Sequence, residues 1–119
     1  KALLATTGVS ASSRFDLTGL PWARVDGVLA ISPATDLSLT RFAAPVHLHA
    51  NATPIDPFAH VWSGAFQIAT AGADANDCAS WTSTSGMGQW YFGTEALWGS
   101  FYDAAQACST AGPVLCLQE

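Results

Sequence analysis

The sequence predicts a single α+β domain in which a mixed, mostly antiparallel sheet carries one or two short helices and long loops. Half of the 119 residues are apolar, which is enough to close one hydrophobic core. Along the chain, short apolar runs alternate with clusters of turn-forming residues, and few segments show a helical period. We therefore expect residues 1–119 to form one domain.

The clearest local signal is that of a β-hairpin. Two apolar-rich runs, Trp22–Val25 and Val28–Ile31, flank the pair Asp26-Gly27. An Asp-Gly pair favours the two positive φ angles of a type I′ turn. The sequence therefore predicts two strands joined by this turn.

Other elements follow from shorter patterns. Apolar runs predict strands at residues 2–6, 61–66, 89–93 and 114–118. Capping residues predict one or two helical turns at 10–15 and a short helix from Thr35 or Asp36 to Arg41. The segments 44–58 and 69–88 are predicted loops, and long loops on a rigid sheet often carry binding function.

The low charge of the chain restricts its partners. Charged residues make up 11% of the sequence and the net charge is −5. Large uncharged surfaces tend to associate, so this composition suits a secreted domain or a subunit that buries one face. The four basic residues are scattered, which argues against nucleic acid and anionic membranes as partners. No apolar run approaches 18 residues, so no membrane insertion is expected.

The three cysteines, Cys78, Cys108 and Cys116, form an odd set. In a secreted protein an odd cysteine implies a missing partner or a free thiol. In a cytosolic protein the same residues would be reduced and buried as small apolar side chains. The composition alone leaves both interpretations open.

Aromatic residues and cysteines form an ordered series in the C-terminal half. The series consists of Trp62-Ser63-Gly64, Asp77-Cys78, Trp81, Trp98, Asp103, Cys108 and Leu115-Cys116-Leu117-Gln118-Glu119. It resembles the C-type-lectin-like fold, and the chain is most similar to bacterial secreted domains related to endostatin. The likeness extends to the Lys-Ala-Leu-Leu start, the hairpin and the segment from Cys78 to Ser83, and so spans nearly the whole chain.

The resemblance implies a covalent framework. It implies that Cys78 pairs with Cys108, and that Cys116 pairs with a cysteine in a helix upstream of residue 1. The domain would then lack its N-terminal strand and helix. Lys1, with neither an initiator Met nor a signal peptide at the start, fits a processed or truncated beginning. Cys116 is then either bonded to a separate N-terminal piece or left free and buried.

The resemblance, together with the low charge and the odd Cys116, favours a function in binding or assembly. We expect a secreted, extracellular or cell-surface domain that is not an enzyme and needs no cofactor. Its role would be binding or assembly, with a protein partner or further copies of itself, for example as a subunit of a surface structure or filament. A second chain linked by a disulfide to Cys116 is one such partner.

Calcium and sugar are alternative ligands. Calcium-dependent lectins use a Glu-Pro-Asn-like turn and a Trp-Asn-Asp segment, because Ca²⁺ takes six to eight oxygen ligands. In place of the Trp-Asn-Asp segment this chain has Phe101-Tyr102-Asp103. The available carboxylates are Asp103, Asp74, Asp77 and Glu95, a thin set, and Asp103 fits equally well as a cap of a turn. Three aromatic residues near the long loops are candidates for stacking on a sugar or anchoring a protein, namely Trp90, Tyr91 and Trp98.

Zinc is a further alternative. His47 and His49 would share one face of a strand. With His60 and Asp56, which come later in the chain, they would supply the nitrogen and carboxylate ligands that zinc favours. These residues suggest a zinc-dependent hydrolase; the competing interpretation is that they are loop histidines beside prolines. The sequence contains no nucleophile turn and no glycine-rich phosphate loop. Cys116 lies in an apolar strand, where the reactive thiolate is disfavoured.

Overall fold

The computed structural model describes residues 1–38, 42–46, 48–56, 58–92 and 104–118. These residues form two antiparallel sheets and a few short helical turns, which agrees with the predicted α+β class. The strands are β1 (Trp22–Ala23), β2 (Leu29–Ile31), β3 (His60–Trp62), β4 (Met87–Phe92) and β5 (Ala104–Ala107). The first sheet pairs β1 with β2, and the second has the order β3-β4-β5.

β1 and β2 form the predicted hairpin, but the turn differs from the prediction. Trp22 lies opposite Ile31, and the Arg24 N–H donates to the Val28 carbonyl at 2.8 Å. Within this described loop, Gly27 alone has a positive φ, of 83°. The predicted type I′ turn is therefore wrong. Three residues separate Arg24 from Val28, and Gly27 takes the left-handed position typical of a bulged hairpin loop.

The second sheet has β4 at its centre. Trp62 lies opposite Trp90 on one side of β4, and Gln89 lies opposite Ala105 on the other. β4 agrees with the predicted strand at 89–93 and begins earlier, at Met87. β5 is not predicted by the sequence, because its Ala-Ala-Gln-Ala run has little strand propensity of its own.

The two ends of the described chain are paired. Ala2 lies opposite Cys116 in an antiparallel bridge. The Leu3 N–H donates to Leu115 at 2.8 Å, and the Leu117 N–H donates to Lys1 at 2.9 Å. We call residues 1–3 with 115–117 the terminal pair. The strands predicted at 2–6 and 114–118 are thus present as short bridged segments.

The hydrophobic core lies between the hairpin, the terminal pair and two short 3₁₀ helices, Ser12–Arg14 and Ala34–Leu37. Its larger side chains are Leu3, Phe15, Trp22, Ile31, Leu37, Phe42, Val61, Ile68, Leu115 and Leu117. The second 3₁₀ helix is shorter than predicted and begins directly after Pro33. Arg41, the predicted end of that helix, lies outside the described residues.

Cys78–Trp81 form a left-handed helical turn inside the predicted 69–88 loop. Their φ angles are 54°, 53°, 54° and 66°. Left-handed backbone costs an L-residue roughly 1–2 kcal/mol. Asp77, which is fully buried, offsets this strain, because its Oδ1 accepts the Ser80 N–H at 2.8 Å and its carbonyl accepts the Trp81 N–H at 2.8 Å.

Candidate functional site

A groove of about 840 Å³ separates the β1–β2 hairpin from the terminal pair. One wall is the hairpin, through residues 21–25 and Ala30. The other wall is the C-terminal segment 113–118 together with Lys1, and Val46, residues 48–50 and Ile55 complete the lining. Most of these side chains are apolar, so the groove is a candidate site for a partner with an apolar face.

The strand period places Cys116 on the open side of the C-terminal wall. Leu115 and Leu117 are buried in the core, with 9% and 7% of their surface exposed. Successive side chains of a strand point to opposite faces, so Cys116 faces outward, and it is an exposed free cysteine. Our alternative of a free and buried Cys116 is therefore wrong. The alternation of leucines around Cys116 is the signal that could have predicted its exposure.

The backbone of this wall is an open strand edge. Lys1 is hydrogen-bonded to Leu117 and Leu3 to Leu115. The pair between them, Ala2 and Cys116, is therefore not hydrogen-bonded, and the backbone amide and carbonyl of each residue point away from the other strand. Within the described part of the chain, no hydrogen bond joins the backbone of Val114, Cys116 or Gln118 to another residue. An edge of this kind can pair with an added strand.

The charged side chains that line the groove are both basic. They belong to Lys1 and Arg24, and no described residue of the lining is acidic. Arg24 Nη1 donates to the Pro45 carbonyl at 2.9 Å, and its Nε donates to Asp26 at 3.0 Å. The hydrogen bonding between the Arg24 guanidinium and the Asp26 carboxylate lowers the pKa of Asp26 to about 2 and raises the pKa of Arg24. Asp26 offsets part of the Arg24 charge. Because both charged residues of the lining are basic, the groove suits a neutral or acidic segment better than a basic one.

Cys78 and Cys108 form a disulfide. Their Cα atoms are 5.7 Å apart, within the usual range for the bond. The pairing that the family resemblance implied is confirmed. The bond joins the left-handed turn to the residue after β5.

The residues of the predicted zinc site lie on different elements. His49 is exposed in the groove lining, and the ring of His60 stacks on Trp90 with centroids 3.6 Å apart. Asp56 Oδ1 accepts the Phe58 N–H at 2.9 Å and so caps a turn. Among the described residues, no three His, Cys, Asp or Glu side chains are grouped as metal ligands. His47 lies outside the described residues, and the zinc site stays a prediction.

The predicted ligand-binding residues have mixed outcomes. Trp90 is 7% exposed and stacked on His60, so its ring is covered instead of being available to a sugar. Tyr91 lies on β4 opposite Val61. Trp98, Asp103 and Glu95 lie outside the described residues. Asp74 and Asp77 both accept from the Thr7 hydroxyl, and the contact to Asp77 measures 2.9 Å.

Comparison of the chain with protein-family models, curated proteins and solved structures finds no match. Among the helices of the described residues, none has the length and apolar character that a membrane crossing requires.

Proposed function

We propose that this protein is a secreted, non-catalytic binding or assembly domain whose groove holds a cysteine-bearing polypeptide segment. The observation that carries the proposal is the exposed thiol of Cys116 in the wall of an apolar groove of about 840 Å³. The Cys116 thiolate attacks a disulfide that the segment carries, which forms the bond between Cys116 and the segment and releases the other thiol. The segment belongs to a second chain or to a separate N-terminal piece of the domain.

Three features of the groove support this occupant. The apolar lining, which includes Val25 at 58% exposure and Val114 at 39%, favours a partner that covers it. The open backbone edge at Val114 and Cys116 favours an extended segment that adds as a strand. The basic side chains of Lys1 and Arg24 favour a neutral or acidic segment.

The fold likeness adds to the proposal. The Cys78–Cys108 bond and the pairing of Ala2 with Cys116 support a C-type-lectin-like architecture related to endostatin. A disulfide in a domain of this size supports an oxidising, extracellular location. The role that fits these features is recognition or assembly at a cell surface.

Thiol exchange with short peptides tests the proposal. The purified chain is equilibrated in a mild thiol–disulfide buffer with single-cysteine peptides, one apolar and acidic and the other apolar and basic. Intact mass spectrometry measures the fraction of mixed disulfide at Cys116. We expect the acidic peptide to be captured about tenfold better than the basic one, because it pairs with the open edge and meets no like charge.

A displaced thiol provides the matched control. In the variant Cys116→Ser/Ala69→Cys, the thiol is moved to an exposed position outside the groove lining. This variant should show no preference between the two peptides. The proposal would be contradicted if the wild-type protein and the control captured the acidic and basic peptides in the same ratio. A preference for the protein's own Cys116 over both peptides would identify a second copy of the chain as the occupant.

A further inference from the structure

The Cys78–Cys108 disulfide lies beside a small pocket that shares no described lining residue with the groove. The pocket has a volume of about 220 Å³, below the roughly 300–1,000 Å³ of pockets that take drug-sized ligands. Both cysteines line it, together with Trp62, Trp81 and Thr84 among others. A compact molecule can therefore reach the disulfide in the folded protein.

The two cysteines of the bond differ in accessibility. Cys78 is 4% exposed, whereas Cys108 is half-buried. Gly88 of β4 closes the space on the Cys78 side, since a Cβ added to it would lie 2.7 Å from Cys78 Sγ. A thiolate must reach the sulfur that it attacks. Thiol–disulfide exchange in the folded protein is therefore directed to Cys108, and Cys78 is the leaving group.

The backbone on the Cys78 side is strained, and the disulfide is one of its restraints. The turn Cys78–Trp81 has four consecutive positive φ angles and contains no glycine. It is held by the bond to Cys108 and by the Asp77 carboxylate, which accepts the Ser80 N–H. Opening the bond removes the first restraint and lets the turn relax, which opposes reclosure. Strained backbone that its surroundings hold in place is typical of functional sites.

The lining selects an incoming molecule by size. The described lining residues carry no charge, so no ionic group attracts or repels a thiol there. Thr82 Oγ1 donates to the Ala79 carbonyl at 2.6 Å, and Ser83 Oγ lies 2.8 Å from Ser85 Oγ. These hydroxyls are already bonded, so they contribute little polar recognition. The main requirement is that the molecule fits the pocket.

We propose that Cys108 is a site of reversible modification by a low-molecular-mass thiol. The thiolate of that molecule attacks Cys108 Sγ, and a new S–S bond forms between them. The Cys78–Cys108 bond breaks, its electron pair leaves with Cys78 Sγ, and this sulfur takes up a proton from water. One disulfide replaces another, so no further oxidant or reductant takes part. The site is separate from Cys116 and does not depend on the proposed groove partner.

Release of the turn extends to the N-terminal segment. Trp81 Nε1 donates to the Ala5 carbonyl at 2.8 Å, and the Thr7 N–H donates to Ser80 Oγ at 3.2 Å. Both bonds depend on the left-handed turn, because it sets the directions of the Ser80 and Trp81 side chains. The modification should therefore break these contacts and leave the hairpin, which packs in the main core, unchanged.

Kinetic trapping tests the site. The full chain is prepared as Cys116→Ser with the Cys78–Cys108 disulfide intact, so that a failure of the groove proposal leaves the result unaffected. The probe is β-mercaptoethanol, added to the folded protein and quenched by alkylation at early times, before a second thiol removes the adduct. Peptide mass spectrometry assigns the adduct and the freed thiol. We expect the adduct on Cys108 to exceed that on Cys78 about tenfold, because access decides which sulfur is attacked.

Matched substitutions locate the access route. Thr84→Trp fills the pocket and should slow adduct formation about tenfold. Thr70→Trp changes another exposed threonine, outside the lining, and should leave the rate unchanged. In the adduct, the indole N–H signal of Trp81 should shift in the NMR spectrum, because its bond to Ala5 is lost, and that of Trp22 in the hairpin should not.

Four outcomes would overturn the inference. The first is the absence of an adduct while the protein stays folded. The second is equal modification of Cys78 and Cys108, as expected for exchange in unfolded chains. The third is an equal rate in the Thr84→Trp and Thr70→Trp variants. The fourth is an unchanged Trp81 signal in the adduct, which would show that the turn is not released.

Discussion

The hairpin region of the molecule and the region around the left-handed turn depend on different interactions. In the hairpin region, Ile31 and Leu37 are fully buried in the main apolar core, together with residues of the terminal pair. Around the turn, Trp62, Cys78 and Trp90 are also buried, yet they lie outside that core cluster. Their surroundings are a disulfide, stacked rings and the hydrogen bonds of Asp77.

The hairpin region shows what apolar packing contributes to stability, and the turn region shows what directional contacts contribute to local geometry. Apolar packing contributes a large and non-directional stabilisation, and it tolerates a groove on its outer side. Covalent and hydrogen-bonded contacts fix a geometry that packing alone would not produce, such as four left-handed residues in a row. The two regions should therefore respond differently to substitution, reductant and acid.

The largest effect should come from the apolar core. Leu37→Ala removes a fully buried side chain, and we expect it to lower the free energy of unfolding by about 4 kcal/mol. Chemical denaturation monitored by tryptophan fluorescence measures this change. The matched control is Leu20→Ala, at a residue 86% exposed, which should change stability by less than about 0.5 kcal/mol. Similar losses of unfolding free energy in both variants would contradict the buried position of Leu37 in the core.

Removal of the disulfide should have the next largest effect. In the chain-entropy model, opening a loop of this size costs about 3.5 kcal/mol, and the two cysteines are 30 positions apart. The double variant Cys78→Ser/Cys108→Ser should lose this amount, and reductant should then have no further effect on it. Amide hydrogen exchange should show lost protection around Asp77–Trp81 and retained protection in the hairpin. An equal loss of amide protection in the hairpin and around the turn would show that the two regions do not depend on different interactions.

The smallest effect should be the acid response of the hairpin loop. Arg24 lowers the pKa of Asp26 to about 2, below the roughly 3.9 of an unfolded chain. The ion pair therefore stabilises the loop above about pH 4, and this contribution is lost as the pH falls toward 2. An NMR titration of the Asp26 carboxyl should find the low pKa, and Arg24→Gln should raise it toward the ordinary value. An unchanged pKa in that variant would show that Arg24 is not its cause.

Local signals predicted part of this fold. The hairpin was predictable because its apolar runs and its Asp-Gly pair lie within ten residues of each other. The α+β class followed from short apolar runs separated by turns. The Cys78–Cys108 bond followed from a family resemblance, because sequence alone does not fix which cysteines pair.

Tertiary contacts determined the features that were missed. β5 forms because β4 offers it an edge, since Ala104–Ala107 has little preference for a strand. The left-handed turn contains no glycine. It is held by the carboxylate of Asp77 directly before it and by the disulfide from Cys78 to the distant Cys108. Residues 21–25 and 113–118 lie on opposite sides of the groove, and no local sequence pattern predicts that these distant segments come close together.

The handedness of the turn has a consequence for chemical synthesis. Ala79 is exposed, and its φ of 53° is one that the mirror-image amino acid adopts without strain. A synthetic chain with D-alanine at this position keeps the same atoms and inverts a single stereocentre. In most helices that inversion is damaging, whereas here it should make the protein more resistant to heat.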